Sequence, residues 1–119
     1  MSRIDVNKTY KLFIGGAFPR SESGRVYEIK GANKKFIANP ALASRKDLRD
    51  AVVAAKAAHS GWANATAFNR GQILYRVAEI MQGRSDQFID EICALEGVTT
   101  KVAKVQVEEA IDTWVWYSG

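Results

Sequence analysis

The chain has 119 residues, 47% hydrophobic and 25% charged, a balance that fits one folded soluble domain and argues against a disordered or fibrous chain. Its 17 Lys and Arg against 13 Asp and Glu leave a net charge of +4, and acids interrupt the basic groups Lys30, Lys34, Lys35 and Arg45, Lys46, Arg49, so a solvated surface is expected there, with no nucleic-acid groove. A single cysteine, Cys93, excludes an intramolecular disulfide and a thiolate metal cluster.

Met1 to Lys11 lacks an apolar segment followed by small residues, and no run approaches the roughly 18 apolar residues of a membrane span, so a cytoplasmic chain is expected. Tyr10 to Phe18 places apolar and aromatic residues on both sides of Gly15-Gly16, a pair suited to the positive φ angles of a two-residue hairpin turn. Pro19 should end the second strand, and Ser21 to Gly24 reads as a polar loop. Arg25 to Ile29 then reads as a short strand, Lys30 to Lys35 as a basic connector, and Phe36 to Ala38 as one more strand before Asn39-Pro40.

The character changes at Ser44-Arg45-Lys46-Asp47, a Ser-x-x-acid cap in which the serine oxygen accepts an otherwise unpaired helical N–H. The helix that follows should turn Leu48, Ala51, Val52, Ala55 and Ala58 inward and stop near Gly61, with Trp62 as an apolar anchor and Ala63 to Ala67 as a link. From Phe68 to Gly97, Leu74, Val77, Ala78, Met81, Phe88, Ile92 and Leu95 recur at helical spacing, which predicts a central helical layer. Gly83 predicts a break near Arg84, with Ser85 capping the next segment. Gly97 should end that layer, and Thr99 or Thr100 should cap a last helix whose apolar positions are Val102, Val105, Ala110, Ile111, Trp114 and Tyr117. Trp114, Trp116 and Tyr117 bunch before Gly119, an aromatic cluster expected to pack against a partner or further sequence.

Residues 1–43 are thus expected as a β-hairpin and short strands, and residues 44–119 as about four helices, an α+β arrangement. Four stretches in this order resemble the N-terminal segment of NAD(P)-dependent aldehyde dehydrogenases. They are Leu12 to Gly16 with the following Ser-Gly loop; Ala43 to Asp47 leading to Ala51-Val52, Ala54-Ala55 and Trp62; Asn69 to Leu74 with Ala78-Glu79; and Trp116 to Gly119. Two places depart from the family pattern. Lys30 to Asn33 occupy the position of an Asn-Pro-Ala-Thr-Gly type of turn, and Gly97-Val98-Thr99 stand where Gly-Lys-Pro is usual.

The resemblance implies a piece of a larger Rossmann-like α/β fold, an incomplete portion of a cofactor-binding domain. It also implies oxidation of an aldehyde to a carboxylic acid with NAD or NADP, by a cysteine nucleophile, a glutamate base and an oxyanion donor. Those residues belong to later parts of the family sequence, so no catalytic, cofactor-binding or metal residue is expected in this chain, which should be structural and inactive alone. Its implied partners are the remainder of such a chain and, for the whole enzyme, an aldehyde and further copies in a homo-oligomer, with no nucleic acid and no membrane. The alternative is an independent non-catalytic module that docks through its C-terminal aromatic helix.

The residues that could suggest chemistry each have a plainer reading. Cys93 sits in Glu91-Ile92-Cys93-Ala94-Leu95, a helix interior with no adjacent cation, and reads as a packing residue. His59, beside the expected helix end at Gly61, reads as a capping or surface residue. Gly15, Gly16 and Gly24 do not form G-x-G-x-x-G, so they read as turn glycines. Glu108, Glu109 and Asp112 could share a helix face, but without further ligands they read as solvated carboxylates.

Overall fold

A computed structural model describes residues 9–119, which form three short strands and four helices divided between two compact units, residues 9–60 and 61–119. The leader-free reading of Met1 to Lys11 falls almost wholly outside the described residues.

In the first unit, β1 (Thr9–Tyr10), β2 (Ile29–Lys30) and β3 (Phe36–Pro40) form a sheet of order β1-β3-β2, with β1 parallel and β2 antiparallel to the central β3. Ile29 pairs with Ala38 and Lys30 with Phe36, so Ile37 is the extra residue of a bulge, and Ala38 is buried. The Gly15-Gly16 hairpin forms as expected, with φ of 61° and 80°. The Ile14 and Ala17 backbones exchange N–H···O bonds of 3.0 and 3.1 Å. Its arms do not extend into a ladder, because Tyr10 pairs across to Pro40 in the parallel sheet. Pro40 closes β3 at no cost in donors: its carbonyl accepts from Tyr27 N (3.1 Å), while the next amide, Ala41 N, bonds Tyr10 O (2.9 Å).

The connector at Gly31 to Lys35 is a tight loop. Gly31 N donates to Lys35 O and Lys34 N to Gly31 O, both at 2.9 Å, and Asn33 Oδ1 accepts from Lys35 N. Lys34 takes a left-handed φ of 63° there.

α1 (Arg45–Asn64) begins where the capping box predicts. It does not stop at Gly61. A glycine inside a helix costs only about 1 kcal/mol, and the chain turns instead where Thr66 caps the next helix. Its inward residues are Asp47, Ala51 and Ala54, while Leu48 is 65% exposed and Val52 is exposed as well. The hairpin tip explains that rotation: a Cβ added to Gly15 would sit 3.8 Å from Ala54 Cβ, so small side chains face it.

In the second unit, α2 (Ala67–Gly83), α3 (Ser85–Glu96) and α4 (Thr100–Ser118) pack with α4 against both others. The core is Ile89 of α3 with Ala103 and Val107 of α4, joined by half-buried Phe88, Ile92, Cys93, Val98 and Ile111. The predicted layer thus holds at Ala78, which is buried, and at half-buried Leu74, Val77, Met81, Phe88 and Ile92. Leu95 is exposed, and Ile89 takes the central place. On α4 the buried face lies beside the predicted one. Val102 and Val105 are exposed, and Ala103 is fully buried because a methyl group admits the close approach of α3 that a valine would block.

Gly83 and Arg84 break the helices as predicted, but Ser85 does not cap α3. Its hydroxyl turns back to donate to Gln82 O at 2.6 Å, among the carbonyls at the end of α2. Gly97 ends α3 with a left-handed φ of 70°, and Thr99 caps α4 by accepting from Val102 N.

Candidate functional site

Four places could carry chemistry or recognition, and their geometry separates fastening from reactivity.

The most concentrated polar cluster is centred on Asp47, which with Ser21 is only 6% exposed. The Ser21 hydroxyl donates to Asp47 Oδ2 at 2.6 Å, Ser44 N donates to the same oxygen at 2.8 Å, and Glu22 N reaches Oδ1 at 3.3 Å. Asp47 N returns a bond to Ser44 Oγ at 3.3 Å, completing the capping box. Chiefly through the Ser21 hydroxyl and then the Ser44 amide, the carboxyl is held well below the usual carboxylate range, to about 2, against the opposing effect of burial. A carboxylate so satisfied is a poor base and a good fastener.

The second place is the contact of α2 with the end of α4. Gly71 is buried, and a Cβ there would run into the Ser118 carbonyl oxygen. Nearby, Arg70 Nη1 donates to Ala65 O at 2.6 Å and to Ala63 O at 3.1 Å, closing carbonyls that no helical amide reaches. Arg70, half-buried, thereby ties the start of α2 to the link before it.

The third is a groove of about 680 Å³ along α3 and α4, with Ile89 and Val107 in its floor and Asp86, Asp90, Glu108 and Asp112 on its rim. Glu108 pairs with Lys104 at 4.0 Å, both well exposed, a contact worth little in stability. Among the described residues no group of three His, Cys, Asp or Glu is placed to hold a metal ion, and Glu109 joins no such set.

The last is the aromatic end of α4. Trp116 and Tyr117 meet edge to face with ring centroids 4.8 Å apart, yet are 74% and 66% exposed; Trp114 is 37% exposed. As the bunching of these rings at the end of the chain leads one to expect, they are uncovered, and Trp114 and Tyr117 line a shallow apolar face with Leu74 and Ala110.

The remaining singled-out residues lie on separate elements. Cys93 lies within α3 and packs, half-buried, against the Ile89 core. His59 is exposed within α1, and because the helix runs on to Asn64 it is not at a helix end. Gly15 and Gly16 serve the hairpin, and Gly24 closes the turn with its N–H bonded to Ser21 O. The basic groups are exposed, with Lys30 paired to Glu28 and Lys46 to Glu22. No helix among the described residues is long and apolar enough to cross a membrane. Sequence reasoning missed the reach of Asp47 to Ser21 and the Gly71 contact. The capping box signals only Asp47's partner three residues away, and a glycine in a helical pattern carries no mark of what approaches it.

The aldehyde dehydrogenase family profile matches residues 18–119. The chain is 39% identical over 98 residues to 2-hydroxymuconic semialdehyde dehydrogenase of Pseudomonas sp. (strain CF600), covering 81% of this chain and 20% of that protein. It is 32% identical over 124 residues to mouse cytosolic 10-formyltetrahydrofolate dehydrogenase, covering 100% of this chain and 14% of that one. The fold superposes on an NAD-dependent aldehyde dehydrogenase from Sinorhizobium meliloti with a TM-score of 0.89 at 19% identity, covering 96% of this chain and 24% of that one. The chain therefore spans a fifth or less of the length of these two sequence relatives. The family match over most of the chain, together with the shared arrangement of strands and helices, establishes that this chain belongs to the aldehyde dehydrogenase family.

Proposed function

We propose that this chain is the N-terminal portion of an aldehyde dehydrogenase and serves it as scaffold. It supplies the opening strands and the helices of an incomplete cofactor-binding domain. The whole enzyme oxidises an aldehyde to a carboxylic acid with NAD or NADP, in the cytoplasm and as a homo-oligomer. The observation that carries this reading is the match of nearly all of this chain to less than a quarter of a dehydrogenase of known structure. The residues of the chain support it in their own way: Asp47, Arg70 and Gly71 fasten elements together, and Cys93 is a packing residue.

In this reading no catalytic or cofactor-binding residue lies within the chain. In the whole enzyme a dinucleotide would supply the hydride acceptor, and the part of these residues is to hold the framework of the domain that binds it. The test is spectrophotometric. Purified chain with NAD or NADP and a panel of aliphatic and aromatic aldehydes is expected to give no reduced cofactor and no calorimetric binding of either nucleotide. Turnover of any aldehyde would overturn the assignment of chemistry to residues outside the chain. An open reading frame continuing past codon 119 into a glycine-rich strand–helix unit and a later cysteine is the expected genomic counterpart.

A further inference from the structure

The turn Ser21 to Gly24 lies between two stretches of backbone pairing. Before it, Leu12 N bonds Pro19 O at 3.0 Å; after it, Leu42 N bonds Arg25 O at 2.9 Å and Tyr27 N bonds Pro40 O at 3.1 Å. Within the turn most bonds are local: Gly24 N to Ser21 O, Ser23 N to Ser21 Oγ, and Arg25 N to Ser23 Oγ. What ties the turn to the rest of the unit is a different matter. The Ser21 hydroxyl has one proton and lies within reach of Asp47 Oδ2 at 2.6 Å, Ser23 Oγ at 3.0 Å and the Leu42 carbonyl at 3.1 Å. A charged acceptor at the shortest distance takes that proton. The Glu22 amide goes to the other oxygen of the same carboxylate. The ties that bypass Asp47 lie toward solvent or have a neutral acceptor: Ser44 Oγ to Glu22 Oε1 at 3.1 Å and the Lys46–Glu22 pair at 3.8 Å on the surface, Ser23 Oγ to Leu42 O at 3.5 Å, and the Leu42 carbonyl at 3.1 Å as the alternative acceptor for the Ser21 hydroxyl.

We propose that Asp47 is a single-carboxylate latch that fastens the Ser21 to Gly24 turn onto the first turn of α1, so that removing its charge releases this turn as a unit while the flanking backbone pairing stays closed. The geometry makes the charge itself essential. Both carboxylate oxygens face N–H donors, Ser44 on one side and Glu22 on the other. A neutral amide in its place sets an NH2 group against one of those donors in either orientation. Protonation has the same effect, since one oxygen then becomes a donor. The other ionisable groups recorded at the cluster are Glu22 on the turn and Lys46 on α1, and their mutual pairing touches Asp47 only through Ser44.

The experiment is residue-resolved amide hydrogen exchange on the 119-residue chain at neutral pH, comparing Asp47→Asn with the unmodified chain. The latch predicts that the Glu22 and Gly24 amides exchange about tenfold faster or more in Asp47→Asn, the scale of losing a hydrogen bond to a charged group. Tyr27 and Leu42 should stay within about twofold. Unchanged Glu22 and Gly24 would overturn the proposal, and so would equal acceleration at Tyr27 and Leu42, which would make Asp47 a support of the whole unit. Ser21→Ala removes the shortest bond while keeping the capping box, and serves where Asp47→Asn does not fold. It should accelerate the same two amides with Tyr27 and Leu42 unmoved, and a uniform or absent response in this variant equally overturns the latch.

Discussion

The two compact units are held together by different physics. Residues 61–119 rely on apolar interlocking, with Ile89, Ala103 and Val107 packed between α3 and α4, and with Thr66 and Thr99 capping the starts of α2 and α4 and Gly97 the end of α3. Residues 9–60 bury far less apolar side chain: Ala38 is the one fully buried hydrophobic residue described there, and the buried polar pair Ser21 and Asp47 does the joining. A unit built on burial resists acid and salt but not a lost methyl group. A unit fastened through a carboxylate tolerates apolar trimming but not the loss of that charge.

Changes that attack each unit where it is strongest would sharpen this contrast. The largest effect is expected from Ile89→Ala, at about 2–4 kcal/mol in urea unfolding, because it empties the centre of the helical core. Ile92→Ala, at a half-buried site, should cost distinctly less. Next comes Gly71→Ala, about 1–3 kcal/mol, because the new methyl meets a backbone carbonyl that cannot rotate aside. Thr99→Ala should cost about 1 kcal/mol, read as fraying of the first turn of α4 by exchange at Val102.

Acid tests the other unit. With its folded-state carboxyl held to about 2, Asp47 contributes stability that is complete above the ordinary carboxylate range and is lost as pH falls through it toward about 2. Melting curves from pH 6 downward should show that loss, and Asp47→Asn should flatten it. The smallest effect has the opposite sign. Gly61→Ala should stabilise by about 0.5–1 kcal/mol, since α1 runs through this position and an added Cβ has nothing within 4 Å. A loss there would mean that the helix ends at Gly61 after all.

Local chemistry was readable from the chain. Gly15-Gly16, the Ser44–Asp47 box, the break at Gly83, the stop at Gly97 and the cap at Thr99 each act within about four residues, the range over which sequence alone dictates geometry. The pairing of Tyr10 with Pro40 and of Ser21 with Asp47 spans 26 residues or more, and nothing in either partner announces the other. The buried face of α4 is hidden for a subtler reason: periodicity ranks Val102 and Val105 above Ala103, while close packing of α3 rewards the smaller side chain. Cys93 lies on α3, His59 on α1 and Glu108 to Asp112 on α4, an assignment to elements that helical periodicity alone makes legible.

Gly61, Gly71 and Gly83 all lie in helices, yet they hold unequal places in the chain's tolerance of change. The first and third open onto free space, whereas at the second any side chain at all meets the Ser118 carbonyl at the end of α4. In a saturation library scored for folded protein, codons 61 and 83 should therefore drift freely among small helix formers. Codon 71 should return glycine almost alone, a constraint imposed by a residue 47 positions away whose own side chain plays no part in it.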